Sequence, residues 1–200
     1  MPIKDCQTEK HIVDTAMKVF FTEGRINATT QEIADAAGIN RTLINYYFRS
    51  KKTLFNYVVK KAKEEFIGNS DLILSSDLPI KEKTERFIDD FMNNLEKYPY
   101  LESYMTVEII KQRLNKNDLD VPEEKQPTPI NKYLNEIEKE MSAGNIPATN
   151  PVHFILNLFS LMIYPQIMKP LQMKLLNLNE NEYNKILDER KQLILTILFS

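Results

Sequence analysis

Residues 29–54 read TTQEIADAAGINRTLINYYFRSKKTL. Thr29 followed three residues later by Glu32 is a capping box, the reciprocal pair that opens a helix by satisfying two free main-chain N–H groups. Ile33, Ala34 and Ala37 then share one face, and the alanines leave room for a second helix to approach closely. Gly38 is free to take the left-handed conformation that a tight turn needs. Asn40 caps the next helix, over 41–48, and Ser50 caps a third whose first turn holds Lys51 and Lys52. Two short helices joined by a tight turn make a helix-turn-helix, the unit that lays its second helix in the major groove of DNA.

The helix over 41–48 sorts its residues by face. Ile44 and Phe48, four apart, point inward, and Leu43 and Tyr47 form a second pair on the flank. Leu43 is expected to be buried; the alternative is contact with a thymine methyl group. Arg41, Thr42, Asn45 and Tyr46 are left facing out. Arg can grip guanine through two bonds and Asn can do so with adenine, whereas Thr and Tyr reach base edges or phosphates. No carboxylate lies between Gly38 and Lys63, so nothing there repels a phosphate. Lys51 and Lys52 oppose the dipole of the helix they open, at about 0.3–1 kcal/mol each. That placement makes sense if an anion docks against the free N–H groups of the same helix end. Thr30, at the start of its own helix, offers a second phosphate contact. The competing reading is a three-helix packing module with solvated basic ends.

Around this core the chain reads as all-α, with about nine helices and no alternating strand pattern. The first runs over 7–22, with Ile12, Ala16, Val19 and Phe20 as its buried stripe and Gly24 as its stop. The helix after Ser50 buries Leu54, Phe55, Val58, Val59, Ala62 and Phe66. Residues 68–80, GNSDLILSSDLPI, read as a linker. Further helices follow over 81–97 and from Pro99 toward Leu114, the second carrying Leu101, Tyr104, Met105 and Ile109 inward. Residues 115–129, polar with three prolines, read as a mobile loop. Then come a helix through Ile130, Tyr133, Leu134, Ile137 and Met141, one opened by Asn150-Pro151 and broken up by Pro165 and Pro170, and a last one over 182–199.

Charge divides the chain. Through residue 63 there are eleven Lys and Arg against six Asp and Glu; beyond it there are fifteen against twenty-two. A basic front on an acidic body suits a polyanion-binding head.

The headpiece resembles the tetracycline-repressor (TetR) family over about residues 8–60, through GINRTLINYYFRSKKTLF and at Ile33-Ala34, Ala37-Gly38, Ile44, Tyr47-Phe48 and Lys51. The resemblance implies that 41–48 is the recognition helix, with phosphate contacts by Thr30, Tyr47 and Lys51 and base contacts from Arg41, Thr42, Asn45 and Tyr46. Three positions depart from the common pattern: Thr42 stands where glycine is frequent, Leu43 where a small polar residue is, and Asn45 where tyrosine is.

One recognition helix covers only a few base pairs, so two heads on a partly palindromic operator require a homodimer. Apolar residues of the last two long helices exceed what one covering layer hides. Phe154, Leu158, Leu187, Arg190, Ile194 and Ile197 are the candidate interface, expected to form a four-helix bundle across a two-fold axis; the alternative is plain core. Phe87, Phe91, Tyr98, Tyr104, Met105 and Met162 line an adaptable cavity for an apolar or amphipathic effector, or are ordinary core. The family resemblance implies a small ligand in this region. These readings divide the chain into a DNA-binding domain over 1–50, a connecting helix over 51–67, and an effector-binding and dimerisation domain over 68–200.

An enzyme is not expected. His11 and His153 belong to no metal-spaced cluster, and four glycines make no nucleotide-binding loop. No metal or other cofactor is expected. The carboxylate pairs Asp89-Asp90 and Glu123-Glu124 read as solvated. One cysteine, no leader pattern and no apolar run of membrane length give a cytoplasmic expectation, with no membrane partner. The expected function is ligand-responsive regulation of transcription, most simply repression. The alternative is a DNA-binding regulator controlled by a partner protein.

Overall fold

A computed structural model describes residues 5–114 and 128–200. Among them there are ten α-helices and one π-helical turn, and no strand. The chain divides into two compact units. One holds described residues 5–67 and 94–114; the other holds 68–93 and 128–200.

The first unit contains α1 (Cys6–Met17), its π-helical continuation Lys18–Thr22, α2 (Thr30–Ala37), α3 (Arg41–Phe48), most of α4 (Lys51–Ser75) and α6 (Leu101–Leu114). Asp5 caps α1, Thr29 and Glu32 form the capping box of α2, and Asn40 caps α3. Ser50 opens α4 by accepting the N–H of Thr53 at 3.1 Å. The expected α1 stripe is buried, joined by Val13, Met17 and Phe21. Ile33, Ala34, Ile44, Leu54 and Val58 complete the core, and the rings of Phe20 and Phe55 meet edge to face at 5.0 Å. The start of α6 is tied to the end of the π-turn: the Tyr100 N–H donates to the Phe21 carbonyl at 3.1 Å. Gly24, at φ 71°, lies under the Tyr100 ring, where a Cβ would come within 2.9 Å of it.

The second unit contains the end of α4, most of α5 (Ile80–Lys97), α7 (Pro129–Ser142), α8 (Pro151–Ile167), α9 (Lys169–Leu176) and α10 (Glu180–Phe199). Thr128, Asn150 and Asn179 cap α7, α8 and α10 through their side chains. Phe87, Ile88, Phe91, Tyr133, Ile137, Met141, Leu158, Ile194 and Leu198 are buried. Two polar pairs sit among them. The Thr84 and Tyr133 hydroxyls meet at 2.5 Å, and burial pushes the Tyr133 phenol well above its usual range. The fully buried ammonium of Lys83 is paired with Glu136.

Several expectations give way to tertiary structure. The supposed linker is helical as far as Ser75. The Ser70 hydroxyl donates to Asp90 at 2.8 Å, and the Asn69 amide donates to the same carboxylate. Leu74 is buried. These ties outweigh the weak helix propensity of Gly68-Asn69-Ser70. On α6, Ile109 is half exposed and does not point inward. Helix α10 begins two residues earlier than expected, because Asn179 and Glu182 form a second capping box.

Pro165 does not break its helix. It lies buried inside α8, where its missing N–H leaves the Leu161 carbonyl without an intrahelical donor. Arg190 of α10 supplies one through Nη2 at 2.8 Å. The bend comes later, at Met168, where α8 and α9 meet at 73°. Residues 115–127 of the expected loop, Glu123-Glu124 included, lie outside the described residues. Among the described residues, no single helix is long and apolar enough to cross a membrane, and no cluster of His, Cys, Asp and Glu is arranged to hold a metal ion.

Candidate nucleic-acid interface

The headpiece fixes α3 at both ends. At its entry, the α2 capping box is complete: the Glu32 N–H reaches the Thr29 hydroxyl at 3.2 Å, and the Thr29 N–H reaches the Glu32 carboxylate at 2.8 Å. Arg25 also holds that carboxylate. Hydrogen bonds from the Thr29 main chain and side chain, then from Arg25, lower the Glu32 carboxyl from its ordinary value to about 2. Gly38 makes the turn at φ 64°, ψ 30°. The His11 ring lies 2.9 Å from the Ala37 carbonyl through Nε2; a carbonyl only accepts, so that nitrogen carries the proton.

Asn40 then accepts the Thr42 N–H at 2.8 Å and starts α3. Ile44 and Phe48 are buried beneath it. Arg41, Thr42, Asn45 and Tyr46 are all exposed on its outer surface. This is the placement their spacing predicts. Leu43 is not buried: it is 38% exposed, so an apolar side chain joins the outward face. The helix ends at Arg49, held at φ 60°, a conformation unfavourable for a residue with a side chain.

The remaining expected contact residues lie around this helix, and Tyr47, Lys51 and Thr30 have partners within the protein. Tyr47 is half-buried, and its hydroxyl accepts the Asp5 N–H at 3.1 Å. Lys51 reaches from the first turn of α4 to the Asn27 carbonyl at 2.8 Å, and Lys52 is exposed. Thr30 is only 7% exposed, and its hydroxyl accepts from Nε of Arg41 at 3.1 Å. The pairs Thr30–Arg41, Lys51–Asn27, Tyr47–Asp5 and His11–Ala37 join residues 11 to 42 positions apart. No local sequence pattern announces them.

The candidate effector residues fall in both units. Phe87, Phe91 and Met162 are interior to the second unit, where Phe159 stands edge-on to both phenylalanine rings, with centroids 5.7 and 6.1 Å away. Tyr98 is buried and donates to Glu65 within the first unit. Tyr104 and Met105 also belong to that unit, Tyr104 packing on Phe21 and Phe55. An open cavity of about 770 Å³ lies elsewhere, between α8, α9 and α10, with Phe159, Ile163, Tyr164, Leu176, Tyr183 and Arg190 among its walls.

Of the candidate interface residues, Phe154, Leu158 and Ile194 are buried inside the protomer. Leu187 and Arg190 are half-buried, Arg190 being engaged with Leu161. Ile197 is exposed. The large apolar side chains that α8 and α10 do present are Val152, Leu156 and Tyr164, and Ile186, Leu193 and Ile197.

Residues 12–58 match the model of the bacterial regulatory proteins, tetR family. The HTH-type transcriptional regulator AcrR of Shigella flexneri is 33% identical over 73 residues, 36% of this chain and 34% of that protein. The match thus spans about a third of the length of that curated relative. Over nearly the whole chain the fold is that of solved regulators. HlyIIR, a hemolysin II transcriptional regulator, aligns over 97% of this chain and 98% of its own at a TM-score of 0.57 and 22% identity. The transcriptional regulator FadR of Bacillus subtilis, solved in complex with stearoyl-CoA, aligns over 94% and 98% at 0.57 and 16% identity.

Proposed function

We propose that this protein, whose helix-turn-helix headpiece belongs to the TetR family, is a transcriptional regulator that binds operator DNA as a homodimer and is released from it by a small apolar or amphipathic effector. One observation carries the DNA-binding reading: Arg41, Thr42, Asn45 and Tyr46 stand exposed together on α3 while Ile44 and Phe48 anchor the helix below. The outward set has the donors that read base edges in a major groove. Lys51 and Lys52 flank it with charge for the phosphates, and no acid occurs between Gly38 and Lys63. Arg41, Thr42, Asn45 and Tyr46 are the proposed base-reading set; Tyr47, Lys51 and Lys52 are the proposed phosphate set.

The dimer rests on the exposed apolar face of α8 and α10. Ile186, Leu193 and Ile197 follow at seven and eleven residues, one side of a helix, and each is more than 40% exposed. Paired across a two-fold axis, this face would lose its contact with water and give two heads for two half-sites. The effector reading is supported by the aromatic and methionine content of the second unit, and by FadR, which has the same fold and was solved with an acyl-CoA. A ligand that binds one state of the dimer better than the DNA-competent state lowers operator affinity by that difference. Repression relieved by a ligand is the simplest use of such coupling, and it places the protein in the cytoplasm with the DNA.

The test is selection of bound duplexes from a random library by the purified protein. An inverted repeat is the expected product. Single half-sites would leave the head and remove the dimer. No enrichment by folded protein at moderate salt would overturn the DNA-binding reading.

A further inference from the structure

The geometry points to Thr30 as the positioning residue for Arg41: it shapes base reading through that guanidinium and does not itself grip phosphate. This rests on the DNA-binding reading above. Thr30 is the first residue of α2, and Arg41 is the first of α3. The Thr30 hydroxyl accepts from Arg41 Nε at 3.1 Å, although Arg41 itself is exposed. Among the described residues this is the side-chain hydrogen bond that Arg41 makes.

The chemistry of the guanidinium gives the bond its consequence. The group is planar with five donors, and holding Nε restrains how that plane can turn. Thr30 engages Nε, so the end-on edge of the two Nη groups takes no part in this bond. They form the fork that matches O6 and N7 of guanine. An unheld arginine on a surface helix samples many rotamers and must be ordered on binding, so a held one binds with a smaller ordering cost. The acceptor is also suited to the task. A carboxylate in its place would cancel the charge that the DNA attracts, whereas a hydroxyl orients the group and leaves it cationic.

Thr30 is itself well fixed. Its side chain is β-branched and so stiff at χ1. It is 7% exposed, and α2 is held by its capping box and by His11 at the Ala37 carbonyl. The same burial removes the hydroxyl from the surface that a phosphate would meet.

The experiment compares Thr30→Val and Thr30→Ser with the wild type on the duplexes that the wild type selects. Valine keeps the branched shape and removes the acceptor; serine keeps the acceptor. The expected result is a roughly three- to tenfold loss of preference for guanine at one position of each half-site in the valine variant. Affinity for unrelated duplex and the salt slope should stay unchanged, and serine should restore the preference. In an Arg41→Ala background, Thr30→Val should have no further effect. The Arg41 Nε–H resonance of the free protein should exchange faster with solvent in Thr30→Val. A uniform loss on all sequences with a shallower salt slope would overturn the positioning role and assign Thr30 to phosphate. Unchanged guanine preference in Thr30→Val would also overturn it. If the wild type selects no duplex, the DNA-binding reading falls first, and this inference with it.

Discussion

Replacing Lys51 by glutamine tests the sorting of contacts into those that hold DNA and those that read it. The ammonium of Lys51 lies 2.8 Å from the Asn27 carbonyl. A glutamine amide keeps a hydrogen-bond donor on a side chain one bond shorter and removes the charge. A dimer on its operator should neutralise roughly six to eight phosphates, which gives a log–log salt slope of about −5 to −7. Lys51 supplies one of those cations in each head, hence two per dimer. At about 0.9 per phosphate, Lys51→Gln should bring the slope about 2 nearer to zero. Between 50 and 200 mM salt the wild type should then lose on the order of 10³–10⁴ in affinity, and the variant roughly tenfold less of it. Fluorescence anisotropy on a fixed duplex across a salt series measures both slopes. Asn45→Ala is the control: it removes no charge and should leave the slope alone while relaxing preference at one or two base positions. Equal slopes for Lys51→Gln and wild type would refute the placement of Lys51 on phosphate. A wild-type slope near zero would refute the docking of the basic face altogether.

Three further outcomes follow from the packing. Glu136→Ala strands the fully buried Lys83 ammonium and should cost about 3–5 kcal/mol in urea unfolding, whereas Lys83→Met leaves a partly exposed carboxylate and should cost much less; equal costs would contradict the burial asymmetry. The Glu32 carboxyl is lowered from 4.5 to about 2, so its contribution to stability is complete above pH 4.5 and is lost as pH falls toward 2; acid titrations of Tm should therefore fall less steeply over that window in Glu32→Gln than in the wild type, and parallel curves would count against the capping-box contribution. Leu193→Glu, at a side chain 47% exposed in the protomer, should halve the mass in solution by light scattering while leaving the monomer folded; an unchanged mass would remove α10 from the interface.

The headpiece was legible because its determinants are local. A capping box, a left-handed glycine and two caps act within four residues of where they stand, and all are present at Thr29–Glu32, Gly38, Asn40 and Ser50. The end of α4 was not legible for the opposite reason. Gly68-Asn69-Ser70 reads as a linker until Asp90, 20 residues beyond Ser70, accepts from both polar side chains. The second capping box, Asn179 with Glu182, is as local as the first and sets the start of α10 in the same way. Leu43 marks the limit of periodicity on a two-turn helix: with only eight residues, the flank of α3 can lie against the core or face outward, and side-chain spacing does not decide between them.

Arg190 shows why the faces of α8 and α10 had to be read from the structure. Its spacing among apolar residues put it in the candidate interface with Leu187, Ile194 and Ile197. Its position is explained instead by Pro165. The proline removes the N–H that would have closed on Leu161, and the half-buried Leu161 carbonyl takes its hydrogen bond from Arg190 instead. A guanidinium reaching from the neighbouring helix is the remaining donor. The two residues are therefore one device, and the proposed dimer face is drawn from what lies outside it: Leu156 and Tyr164 on one helix, Ile186, Leu193 and Ile197 on the other. Apolar content alone could not divide these from Phe154, Leu158 and Ile194, because all belong to the same two helices. What divides them is which side each helix turns to its own protomer, and that is fixed by packing between residues about 40 positions apart.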